Sequence, residues 1–132
     1  MNSAETLAFA EHFMMSIQRG DANAVRACYA PGAKIWHNTD NVEQTVDKNI
    51  DGVKWLHRTL KNVNYRVVRR LALENGFLQT LVLEGTRADG SQFKLDACVI
   101  ITMEKGLITR LDEYIDSAQS IAATSRPAAR SA

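Results

Sequence analysis

The chain has 132 residues, 45% hydrophobic and 23% charged, with a formal net charge of +1. That length and balance suit one globular domain with its own core. They leave no strong field to attract nucleic acid or anionic lipid, and no apolar run is long enough for a membrane span. Cys28 and Cys98 lie far apart in apolar contexts and read as reduced thiols, and no metal-ligand spacing appears among them and the three histidines. The opening segment MNSAETLAFAEHFMM is interrupted by Glu5, Glu11 and His12 and lacks a basic start. It does not read as a secretory leader, so a cytoplasmic location is expected.

Leu7, Ala10, Phe13, Met14 and Ile17 recur at steps of three and four, which predicts a first helix with one apolar face. Asn2 or Ser3 can cap it, and Gly20 can stop it in a left-handed conformation. Asp21 can cap a second, short helix over ANAVRACYA, ended by Pro31-Gly32. AKIWHN reads as a short strand. Val46, Ile50, Val53, Leu56 and Leu60 form the stripe of a third helix, with NVEQ as a capping box before it. From Tyr65 the period changes to two. YRVVRRLALE, FLQTLVLEGTR, QFKLDACVIITM and LITRLDEYID are four strands joined by the hairpin signals NG, ADGS and EKG. Three helices followed by an antiparallel meander predict an α+β domain over residues 1–116, with the helices on one face of a curved sheet. The small, polar stretch 117–132 is expected to be a disordered tail.

Strand parity sorts the side chains into faces. Phe93, Leu95, Ala97, Val99 and Ile101 form an apolar row; Lys94, Asp96, Cys98 and Ile100 form a mixed one. Leu78, Thr80, Val82 and Glu84 share a face, as do Leu111, Glu113 and Ile115. Parity does not say which face of each strand goes with which.

Helix, GD turn, helix, YAPGA, strand, helix and a meander ending in GLITRLDEYID is an order that resembles the SnoaL-like branch of the nuclear transport factor 2-like superfamily, over about residues 4 to 118. That superfamily includes ketosteroid isomerases, limonene-epoxide hydrolases and polyketide cyclases. The resemblance implies a cone-shaped antiparallel sheet wrapped around three helices and an internal pocket. It also implies a homodimer through the outer sheet face. By the resemblance, His37 matches the catalytic aspartate of the isomerases, and Glu113 and Glu84 match the two carboxylates of the epoxide hydrolases. Val82 stands where those hydrolases have a bridging arginine. Phe13 and Val99 stand where the isomerases have their two oxyanion donors.

The expected site is therefore His37, Glu113 and Glu84 as catalytic groups in an apolar cavity lined by Phe13, Trp36, Leu56, Val82, Leu95, Ala97 and Val99. An imidazole that titrates near neutrality beside a carboxyl in apolar surroundings can move protons without cofactor or metal. The expected activity is acid–base chemistry of the isomerase, cyclase, dehydratase or hydrolase type on a small polyketide-, terpene- or steroid-like molecule. The alternatives are a non-catalytic binder of an apolar ligand and a dimeric interaction domain. Trp36 and Trp55 also suit packing, Asn38 and Asp40 read as turn residues, and His57 reads as near the surface.

Overall fold

A computed structural model describes residues 1–119 of the chain. The expectation of a disordered tail falls, from residue 120 onward, outside the described residues. The elements are α1 (Ser3–Arg19), α2 (Ala22–Ala27), β1 (Tyr29–His37), β2 (Val42–Gln44), α3 (Val46–Thr59), β3 (Lys61–Leu73), β4 (Gly76–Thr86), β5 (Gln92–Glu104) and β6 (Leu107–Ile115).

Local chemistry explains most of the boundaries. Asn2 and Glu5 form a reciprocal capping box at the start of α1, with bonds of 2.8 and 2.9 Å. Gly20 ends α1 at φ 69°. Asp21 then accepts the Ala24 N–H at 3.1 Å and starts α2 at once.

Three expectations are corrected. The second helix stops at Ala27, and Pro31-Gly32 lie inside β1, where the register shifts between Tyr29 and Lys34. Such an irregularity is where a strand tolerates proline, which has no N–H to give to the ladder. Thr45, not the NVEQ segment, caps α3 through its hydroxyl (3.2 Å to the Lys48 N–H), and Val42–Gln44 pairs with β1 as a strand. β3 begins at Lys61 rather than Tyr65.

The six strands form one curved sheet in the order β2-β1-β6-β5-β4-β3. Every neighbouring pair is antiparallel except β1 and β6, which run parallel. The inner face carries Phe77, Leu81, Leu83, Leu95, Ala97, Val99, Ile101 and Leu111, packed into one core with Ala10, Phe13 and Met14 of α1, Val25 of α2 and Ile50 of α3. Two polar devices fasten α1 to the far edge of the sheet. The Gln18 amide donates to the Val63 carbonyl and accepts the Tyr65 N–H at 2.7 Å. Arg70 donates to Gln79 and to Glu11, each at 2.9 Å.

At the β3–β4 hairpin the backbones pack too closely for any side chain. A Cβ on Gly76 would stand 1.8 Å from the Ile101 carbonyl oxygen. Gly76→Ala should therefore lower the unfolding free energy by about 1–3 kcal/mol, read by chemical denaturation. An unchanged midpoint would mean that β5 yields at Ile101 without loss.

Candidate functional site

The site begins with a pairing register. Along the parallel β1–β6 ladder His37 stands opposite Glu113, and Ile35 opposite Leu111. Paired residues in a ladder point to the same side of the sheet, and Val99 of β5, opposite Glu113, is a core residue. Both ionisable groups therefore face inward. Asn38 holds this register. Its backbone N–H donates to the Glu113 carbonyl at 3.1 Å. Its side-chain oxygen accepts the Ile115 N–H at 2.9 Å and its amide nitrogen donates to the Ile115 carbonyl at 3.0 Å. Asn38 opens the turn over residues 38–41, as expected, and also clamps two strands; Asp40, in the same turn, accepts the Val42 N–H at 3.1 Å.

His37 Nε2 donates to Glu113 Oε1 at 2.9 Å, and the two side chains retain 18% and 23% of their exposure. The pair is sheltered but reachable by solvent. The hydrogen bond to Glu113 raises the imidazole pKa above its ordinary value; burial opposes this, and the charges of Glu113 and Asp40 add to the rise.

Two tyrosines complete the inner site. Tyr29, at the start of β1, is buried with its ring edge-on to Phe13 at 5.7 Å. Its hydroxyl has no hydrogen-bond partner among the described residues. Tyr65 of β3 packs at 6.2 Å against the ring of His57. Burial pushes both phenols well above the usual tyrosine range, and the charge of Glu113 pushes both further; Cys28 adds to the effect on Tyr29. Both remain protonated at neutral pH and can act only as neutral hydrogen-bonding groups beside the carboxylate.

Not every expected site residue joins this cluster. Phe13, Leu95, Ala97 and Val99 lie in the core on the inner side, and Leu56 packs against that core from α3. Glu84 and Val82 belong to the opposite face: they pair with Lys94 and Asp96 of β5, whose side chains are exposed. Glu84 accepts from Asn64 at 3.3 Å and stands 3.6 Å from Arg66, so it is an outer-face carboxylate that the structure does not bring to His37 and Glu113. Trp36 also points outward, edge-on to Tyr114 at 5.2 Å and donating to Asn41 at 2.8 Å. His57 is half-buried rather than near the surface, with its Nε2 3.0 Å from the Ile17 carbonyl.

Tyr29 and Tyr65 were absent from the expected set. Tyr65 had a signal, since it alternates with Val67 on its strand. Tyr29 had none, because the residues around it read as the end of a helix. No group of three or more His, Cys, Asp or Glu side chains that could hold a metal ion occurs among the described residues.

The SnoaL-like domain family matches residues 10–111, most of the chain. The chain belongs to the SnoaL-like family. Solved structures agree at the level of the fold. An NTF2-like protein of unknown function from Burkholderia pseudomallei superimposes with a TM-score of 0.80 at 14% identity, over 96% of this chain and 100% of that one. PrhC from Penicillium brasilianum gives 0.84 at 14% identity, over 97% and 91%. AclR from Streptomyces galilaeus, a hydroxylase candidate, gives 0.81 at 11% identity, over 92% and 85%. Among curated proteins, none matches the chain in sequence.

In this SnoaL-like domain the His37–Glu113 pair makes stability depend on pH. The folded imidazole binds its proton more tightly than the ordinary value of 6.5. Its contribution is therefore complete below that value and is lost as pH rises through the raised one. The stability advantage of the wild type over Glu113→Gln should be full below pH 6.5 and shrink as pH rises above it, through the raised midpoint of the folded imidazole. The His37 midpoint followed by NMR should fall in Glu113→Gln; a wild-type midpoint below 6.5 would show burial outweighing the carboxylate.

Proposed function

We propose that this SnoaL-like protein is a cofactor-free acid–base enzyme that moves a proton on a small hydrophobic carbonyl compound of the polyketide, terpene or steroid kind. The observation that carries the reading is a solvent-reachable imidazole–carboxylate pair whose charge also acts on a buried phenol, one with no hydrogen-bond partner among the described residues.

The chemistry follows from the roles these groups can fill. The His37–Glu113 pair takes a proton from the carbon beside the carbonyl. The developing negative charge gathers on the carbonyl oxygen, where the Tyr29 hydroxyl donates to it. The pair then returns the proton to another position of the same molecule, giving an isomer or setting up ring closure. Positioned proton transfer is worth about two to four powers of ten in rate, and one oxyanion donor about two to three. Phe13 and Val99 cannot donate where the isomerases do, but Tyr29 approaches from β1 instead.

A second reading, a non-catalytic binder of an apolar ligand, is favoured by one observation: a largely apolar pocket of about 220 Å³ lies among the helices, away from His37. The proposed assembly is a homodimer through the outer sheet face. An open groove of about 480 Å³ runs there past Val68, Val82, Cys98 and Tyr114, and Val68, Leu71 and Tyr114 are exposed. The free thiols of Cys28 and Cys98 suit a cytoplasmic setting.

A panel of lipophilic ketones screened by thermal shift would supply ligands, because binding to the folded state raises its melting point. Hydrogen–deuterium exchange beside the carbonyl of a bound ketone would then report proton abstraction directly. His37→Ala and Glu113→Gln should each slow this exchange by about 10² to 10⁴, and Tyr29→Phe by about 10². Exchange at the wild-type rate in His37→Ala rules the enzyme out; ligand binding with no exchange in the wild type selects the binder. Val68→Asp should shift the protein to monomer in sedimentation analysis if the outer face is the dimer contact.

A further inference from the structure

We propose that the groove between α2 and α3 is a second ligand site, built for a small amphipathic carboxylate. It does not involve His37 or Glu113, so it is independent of the proton-transfer reading, and it names a ligand class for the groove that favours the binder. The groove has a volume of about 220 Å³ and is lined by Gly20, Ala22 and Val25 on one side and by Ile50, Val53, Lys54, His57 and Arg58 on the other.

The α3 wall is a single helical stripe with a chemical gradient along it. Ile50, Val53, Lys54, His57 and Arg58 fall at steps of three and four and so share one face. The stripe is apolar at its first turn and basic at its last. The Arg26–Asp47 ion pair, 2.7 Å long, ties α2 to α3, the helices that wall the groove. The basic end is open. Gly20 borders it at the end of α1, where the left-handed φ of 69° favours glycine; a Cβ there would sit at ordinary contact distance, 3.9 Å, from the His57 ring.

His57 itself is committed to the Ile17 carbonyl at 3.0 Å, which fixes the imidazole as a wall. Lys54 and Arg58 differ. Both are exposed, and neither has an acidic partner within ion-pair distance among the described residues.

The occupant follows from this arrangement. Apolar walls at Val25, Ile50 and Val53 favour a hydrocarbon or aromatic body by removing its surface from water. The unneutralised ammonium and guanidinium at the mouth favour an anion and repel a cation, and a planar carboxylate can accept two hydrogen bonds from Arg58. The volume lies below the range of about 300–1,000 Å³ usual for drug-sized ligands, so the occupant is a single-ring or short-chain acid.

The test uses the intact protein and a matched pair of probes, 4-methylbenzoate and the uncharged 4-methylbenzyl alcohol, titrated by two-dimensional amide NMR. The proposal expects shifts centred on Val25, Ile50, Val53 and Arg58, and the acid should bind about tenfold more tightly than the alcohol. Lys54→Gln combined with Arg58→Gln, at two exposed positions that leave the core alone, should erase that tenfold difference. Val53→Phe should fill the groove and weaken both probes, with the amide spectrum showing that the fold is kept. Equal affinity for acid and alcohol, shifts centred on His37 and Glu113 instead, or no saturation by about 10 mM would each overturn it.

Discussion

The arrangement of this protein depends on the parallel pairing of β1 with β6. That ladder joins the first strand after the helices to the last strand of the meander, and it alone brings His37 and Glu113 side by side. A parallel ladder has no hairpin to set its register, and a slip of one residue would turn the imidazole to the outer face. Asn38 supplies the missing constraint. With three hydrogen bonds to the backbone of residues 113 and 115, it fixes residue 37 opposite residue 113. The 2.9 Å imidazole–carboxylate contact is the chemical consequence of that backbone clamp.

The rest of the inner site is organised around the same carboxylate. Glu113 raises the imidazole pKa and helps to raise the pKa of two phenols contributed by β1 and β3. One charge thus acts on three groups from two strands, keeping the imidazole more basic and adding to the burial that keeps the phenols neutral. α1 holds the other side of the arrangement. The Gln18 amide grips the edge strand at Val63 and Tyr65, and so places the Tyr65 ring against His57. The helices carry a charge pattern of their own: Arg26 and Asp47 tie α2 to α3, and the groove between these helices is lined by Val25, Ile50 and Val53 together with Lys54, His57 and Arg58.

Much of this was legible beforehand, and the reasons can be given residue by residue. The Asn2–Glu5 box, Gly20 and Asp21 act through contacts three residues apart or closer, so their spacing in the chain is their spacing in space. The long strands carry strict alternation because one side of each meets the core, so Leu95, Ala97 and Val99 were grouped correctly. Glu84 and Val82 were grouped correctly with each other and then assigned to the wrong side. Alternation divides a strand into two faces without naming the inner one, and the exposed partners Lys94 and Asp96 show which it is only once β4 and β5 are in register.

The sequence by itself determined the caps of α1 and α2, the succession of helices and meander, and the alternating faces, because each arises from residues close along the chain. Tertiary structure alone decided that Pro31-Gly32 sits within a strand, that Tyr29 brings a buried hydroxyl toward Glu113, and that His37 meets Glu113 across 76 positions of chain. Those outcomes depend on which strand lies beside β1. That choice comes from burying the inner faces of all six strands against the helices at once, a condition on the whole molecule that no short window of sequence contains.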